Sequence, residues 1–231
     1  MMTLALLAAI SATEPTRILV MSRTEGFRHD SIPTGVECLK AIGTARGWVV
    51  DQTENPADFN TANLARYRVV VFLSTTGDIL DRPEEQAFEG YIQNGGRFLG
   101  IHAAADTEYD WPWFGQLVGA YFMSHPHIQE ACMHVHTHDH PATAHLGETW
   151  IATDEWYCYK SQPPARAQVL LSLDHNSYTG WKMPGDSHPI AWSQRFDGGK
   201  AFYTGRGHTK ESYSEPDMRK HLAGALTWLV Q

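Results

Sequence analysis

The chain has 231 residues, 42% hydrophobic and 11% aromatic, which suits the core of one large α/β domain and leaves no room for a second full one. Lys and Arg total 18 against 26 Asp and Glu, a formal charge of -8 with neutral His. No dense basic run could track phosphates, which excludes nucleic acid as a partner, and no apolar run reaches the roughly 20 residues of a bilayer span.

The opening Met1–Thr13 (MMTLALLAAISAT) is apolar and then small, like the end of a secretory signal cleaved after Ala12, although the usual basic start is missing. It favours a periplasmic or secreted location over a cytoplasmic one, with a single domain over 16–231. Arg17 to Ser22 reads as a buried first strand that empties into the polar loop Gly26–Asp30. Pro33 opens a helix through Val36, Leu39 and Ile42 that stops at Gly43 and Gly47, and Trp48–Val50 starts a second strand. The branched run Arg68–Ser74 predicts a central strand buried on both faces. Asp81–Glu85 starts a helix whose stripe Phe88, Tyr91 and Ile92 runs to Gly95-Gly96, and Arg97–Ile101 is the next strand.

This alternation predicts a flavodoxin-like α/β three-layer sandwich with a mostly parallel central sheet. Beyond His102 antiparallel additions follow. Asp106–Gly119 reads as an aromatic loop and a short helix, Ile128–Thr137 as a partly alternating strand, and Gln168–Leu173 as another strand. Ile190–Ser193 and Ala201–Thr204 flank the turn Asp197-Gly198-Gly199 as a hairpin, and a last helix spans about Pro216 to Leu229.

Open parallel sheets bind ligands at the carboxyl ends of their strands. That rule selects Arg28 and His29 after the first strand, Thr75–Asp78 after the third, His102–Asp106 after the fourth and His208 after the late strand ending at Gly205. Gly100-Ile101-His102-Ala103-Ala104 has the small residues of a sharp elbow, with His102 where hydrolases carry Ser or Cys. None of the three cysteines, Cys38, Cys132 and Cys158, sits there, and they form no C-x-x-C pair, so cysteine-dependent amidase chemistry is disfavoured and the thiols read as small core residues.

The sequence carries 13 His. The densest run holds His134, His136 and His138, which would share one strand face but splay along it, so an edge-strand role outweighs zinc binding there, with Asp139 or Asp154 as the acids that would complete or orient such a set. His125 carries more weight. In Gly205–Ser212, Arg206 would neutralise substrate charge, and Glu211 would either orient His208 or stand solvated. Asp154-Glu155-Trp156-Tyr157 sets acids beside aromatics, a composition suited to stacking on and hydrogen bonding a sugar.

The blocks Phe27–Ile32, His102–Tyr109, Ser124–Pro126, Asp154–Tyr157, His188–Trp192 and Gly207–Tyr213, in this order over nearly the whole chain, resemble the trehalose-utilisation (ThuA-like) family. The resemblance implies a class I glutamine-amidotransferase-like fold without the amidotransferase cysteine, a sugar substrate, and a functional link to a sugar dehydrogenase that makes 3-keto glycosides. The expected activity is lyase or hydrolase chemistry on such oxidised sugars. The expected catalytic set is His102, His208, Asp106, His125 and Glu155. His29, His102 and His208 are the expected ligands of a divalent metal, zinc or similar, and Arg28, Tyr109, Trp156, Tyr157, Arg206 and Glu211 are the expected substrate contacts. The alternative is a non-catalytic sugar-binding or regulatory protein, and assembly into an oligomer is compatible with either.

Overall fold

A computed structural model describes residues 14–231. The leader-like Met1–Thr13 lies outside them.

Five short branched or aromatic runs form parallel strands: β1 (Arg17–Met21), β2 (Val49–Thr53), β3 (Val69–Leu73) and β4 (Arg97–Ile101), joined late in the chain by β11 (Gly199–Thr204). Every residue of β3 is buried, as a strand covered on both faces demands. The helices α1 (Ile32–Thr44) and α5 (Pro216–Val230) pack together on one face. On the other lie α2 (Thr61–Leu64), α3 (Arg82–Gln93) and α4 (Pro112–Val118), where Phe59, Phe72, Phe88, Phe98 and Phe114 interlock ring on ring. Pro at the start of α1, α3, α4 and α5 gives up an amide N–H that a helix start leaves unpaired anyway.

The antiparallel strands β6 (Gln129–Val135), β7 (Thr149–Asp154), β9 (Gln168–Leu173) and β10 (His188–Phe196) extend the sheet to nine strands in the order β2-β1-β3-β4-β11-β10-β9-β6-β7. A separate pair, β5 (Phe122–Ser124) with β8 (Cys158–Tyr159), lies beside it. The expected β10–β11 hairpin is present, and its turn uses positive φ at Asp197 (46°) and Gly198 (90°). The strand expected over Ile128–Thr137 ends at Val135, with His136 still donating its backbone N–H to Leu170 at 2.9 Å and His138 beyond it, and the three histidines take separate partners: Asp174, Ser172 and Glu148. All three cysteines are free thiols, Cys38 and Cys158 buried and Cys132 partly so.

Register decides what meets at the carboxyl rim. Leu73 and Thr204 both pair with Ile101, and Met21 pairs with Phe72, so β1, β3, β4 and β11 end level with one another. Their following loops therefore open onto one patch of surface.

Candidate functional site

The first loop brings His29, 4% exposed, against two other imidazoles, 4.9 Å from the His102 ring and 5.0 Å from the His208 ring, edge to face. His102 sits on the elbow after β4 with φ of 50°, a left-handed conformation that a non-glycine residue holds only where its surroundings enforce it. Here the enforcement is visible: the Tyr203 hydroxyl donates to the His102 carbonyl at 2.8 Å, and the ring Nδ1–H donates to the Gly205 carbonyl at 2.9 Å. That second bond leaves Nε2 facing the other loops, 3.2 Å from His208 Nδ1 and 3.5 Å from Glu155 Oε2.

Glu155 follows β7 and is the hub. Its Oε2 is 3.1 Å from His208 Nδ1, and its Oε1 is 3.0 Å from Nδ1 of the more exposed His125. Burial would push its carboxyl up, but hydrogen bonds and charge from His102 and His208 outweigh this and hold it at about 2. Desolvation likewise opposes the His208 cation, and Glu155 overrides it, so His208 is raised above the ordinary histidine value. His29 goes the other way, lowered to about 3 by burial first and then by the neighbouring His102 and His208. Its buried Nδ1 has no hydrogen-bond partner.

His29, His102, Glu155 and His208 each offer one ligand atom, all within 4.8 Å of one another, and this set could hold a metal ion. Three imidazoles and a carboxylate suit zinc or a similar divalent cation. The orphaned His29 nitrogen, and a His102 ring oriented by a backbone carbonyl on its far side, are what such an ion requires of its ligands.

The other expected residues differ in exposure and in partners. The Tyr109 hydroxyl donates to Asp106 at 2.5 Å, with Lys160 3.9 Å from the Tyr109 ring centroid. Burial raises the Asp106 carboxyl despite that bond. Tyr157 tilts against both His102 and Phe122 at 4.2 Å. Arg28 is exposed and paired with Glu54, and Glu211 is exposed at the start of a short 3-10 turn. Trp156 is fully buried and donates its indole N–H to the Gln129 carbonyl. Arg206 is fully buried too, bonded through both terminal nitrogens to Glu215. Tyr203, Phe122 and Lys160 sit in ordinary strands or loops with no local signal, and only the fold brings Tyr203 and Phe122 to the histidines and Lys160 to Tyr109.

A flavodoxin-like α/β sheet whose carboxyl rim presents histidines and a carboxylate, with no cysteine at the elbow, defines the class. The chain belongs to the ThuA family, described as trehalose utilisation, whose profile matches residues 17–229. It is similar to a ThuA-like protein from Bacteroides uniformis, with 25% identity over 96% of this chain and 94% of that one and a TM-score of 0.79. A ThuA-like protein from Parabacteroides merdae has 18% identity over 94% of this chain and 91% of that one, with a TM-score of 0.76. A beta-galactosidase from Bacillus circulans shares the fold at 12% identity, with 93% of this chain on 31% of that one and a TM-score of 0.60. No curated protein matches the sequence.

Proposed function

We propose that the chain is a carbohydrate-processing enzyme that cleaves oxidised (3-keto) glycosides, trehalose derivatives among them, by lyase or hydrolase chemistry. The observation that carries this reading is the convergence of His29, His102, Glu155 and His208 beside an exposed His125 and the Asp106–Tyr109 pair. A divalent cation held by the first four would polarise a keto oxygen and stabilise the enolate left by loss of the adjacent proton.

The chain's own residues supply the rest. His125 or Asp106 accepts the proton from the carbon next to the ketone. The electron pair left behind then expels the oxygen on the following carbon, breaking the glycosidic bond, and the departing alkoxide takes a proton. Asp106, whose carboxyl burial raises and which the Tyr109 hydroxyl contacts, is placed to give that proton when His125 is the base. Water adding to the resulting double bond would make the net reaction a hydrolysis. Tyr157 and Phe122 offer the apolar walls that a sugar ring needs for orientation.

Elemental analysis of protein purified without chelator or metal-affinity tag tests this, alongside assay of 3-keto-trehalose cleavage. Wild type is expected to carry near-stoichiometric zinc or a similar ion and to cleave, and His102→Ala and His208→Ala to lose both. Unchanged turnover in His102→Ala would sink the assignment. Sugar binding without turnover by wild type would leave a binding protein.

A further inference from the structure

We infer that Asp154 is the positioning residue of the histidine cluster: one buried carboxylate that sets Glu155 and His208 together through the backbone. The inference rests on the reading of that cluster as a metal site. Asp154 ends β7 and is 0% exposed. Its Oδ1 accepts from the backbone N–H of Glu155 at 3.0 Å and of His208 at 3.1 Å. Its Oδ2 accepts from the Gly207 N–H at 2.9 Å and the Ser212 hydroxyl at 2.8 Å, and Arg206 Nε stands 3.4 Å away. A carboxylate that accepts this many donors has little freedom to turn.

The placement matters because β7 is the far edge strand, four strands from β11 in sheet order, yet its end meets the loop after β11. Asp154 is the side chain that makes this joint. Gly207 then passes the constraint on. Its N–H goes to Asp154, while its carbonyl accepts from the Ser31 hydroxyl at 3.1 Å, two residues beyond His29. Only glycine suits this link: φ is +122°, and a Cβ would lie 2.6 Å from the Tyr213 hydroxyl. Through Asp154, Gly207 and Ser31, the loops carrying Glu155, His208 and His29 share one hydrogen-bonded frame that touches none of the reacting atoms.

Asp154→Asn in the full chain tests this, because the amide keeps the size but removes the charge and turns an N–H₂ against existing donors. With Co²⁺ and Zn²⁺ as probes, titrated well below the melting temperature, affinity is expected to fall roughly 10- to 100-fold, with an altered visible Co²⁺ band and an unchanged far-ultraviolet dichroism spectrum. A folded Asp154→Asn with wild-type affinity and band overturns the inference. Should that variant fail to fold, Ser31→Ala combined with Ser212→Ala decides instead: about a 10-fold loss supports the frame, and wild-type affinity overturns it. If wild type binds neither ion, the metal reading fails by itself, and the frame is judged in the metal-free chain. There, changed His208 ring ¹⁵N shifts and faster amide exchange at Gly207 and His208 in Asp154→Asn support it, and unchanged values overturn it.

Discussion

Arg206 shows how a residue type can point to one role while its burial assigns another. A guanidinium in a glycine-rich loop beside a histidine invites a substrate anion, but this one is 0% exposed and makes a bidentate pair with Glu215 at 2.9 and 3.0 Å, with Trp150 beneath it. Removing it leaves Asp154 and Glu215 short of their cation in a poorly solvated place. Arg206→Met is therefore expected to cost about 3 kcal/mol or more of folding stability, read by urea unfolding. A variant of native stability with weakened sugar affinity would return Arg206 to the substrate. His29, His102, Glu155 and His208 were legible as candidate site residues for the opposite reason: strand ends and acid-aromatic blocks mark position and chemistry without reference to burial. What no local pattern revealed is that Glu155, arriving from the far edge of the sheet, would be the hub.

At the scale of elements, the parallel half was readable because β1, β3 and β4 are mostly apolar runs and α1 and α3 carry prolines at their starts. The expected Arg97–Ile101 and Gln168–Leu173 strands coincide with β4 and β9. β7 was not read, although it alternates cleanly between exposed and buried residues. Its inward set is Trp150, Ala152 and Asp154, one of them small and one charged, so hydrophobicity does not trace the alternation. The end of α5 hid a second device. Its last turn carries no basic residue, so cations from other elements serve its orphan carbonyls: Arg68 Nε donates to Val230 at 3.1 Å, Arg97 Nε to Leu229 at 3.2 Å and Lys200 Nζ to Trp228 at 3.2 Å. These groups lie at the amino ends of β3, β4 and β11, so they pin α5 at the rim opposite the histidines. Lys200→Met keeps much of the stem over Trp228 and loses the charge, and it should cost about 1 kcal/mol in urea unfolding. A change within error would mean that the other two cations suffice.

For the whole molecule, the pH dependence of folding is set by groups whose proton affinity changes on burial. Desolvation lowers His140 and His188 to about 4 and His29 and His221 to about 3. Once unfolded, each takes up a proton near pH 6.5, so the stability tied to their neutrality is fully present above that pH and is lost as pH falls toward 4. Glu108 works in the opposite sense. It is 2% exposed, accepts the Ile79 and Leu80 N–H groups at 2.9 Å, and burial, reinforced by Asp78, raises its carboxyl to about 8. The folded chain thus holds a proton on Glu108 that the unfolded chain has released above about pH 4.5, and this contribution is present at low pH and fades as pH rises through 8. Below pH 6.5 the unfolded state gains protons on His29, His140, His188 and His221 while the folded state keeps one on Glu108, so stability falls steeply toward acid. Above pH 6.5 Glu108 and His208, both raised in the folded chain, act in the same sense, and stability falls in the alkaline direction. Urea unfolding across pH 4.5–9 should therefore show a maximum near pH 6.5–7, steeper on its acid side. Glu108→Gln should lessen the alkaline fall and steepen the acid limb by about 1.4 kcal/mol per pH unit, because the proton that opposes the histidines is gone, whereas a wild-type maximum below pH 5 would show that burial does not keep the four imidazoles neutral.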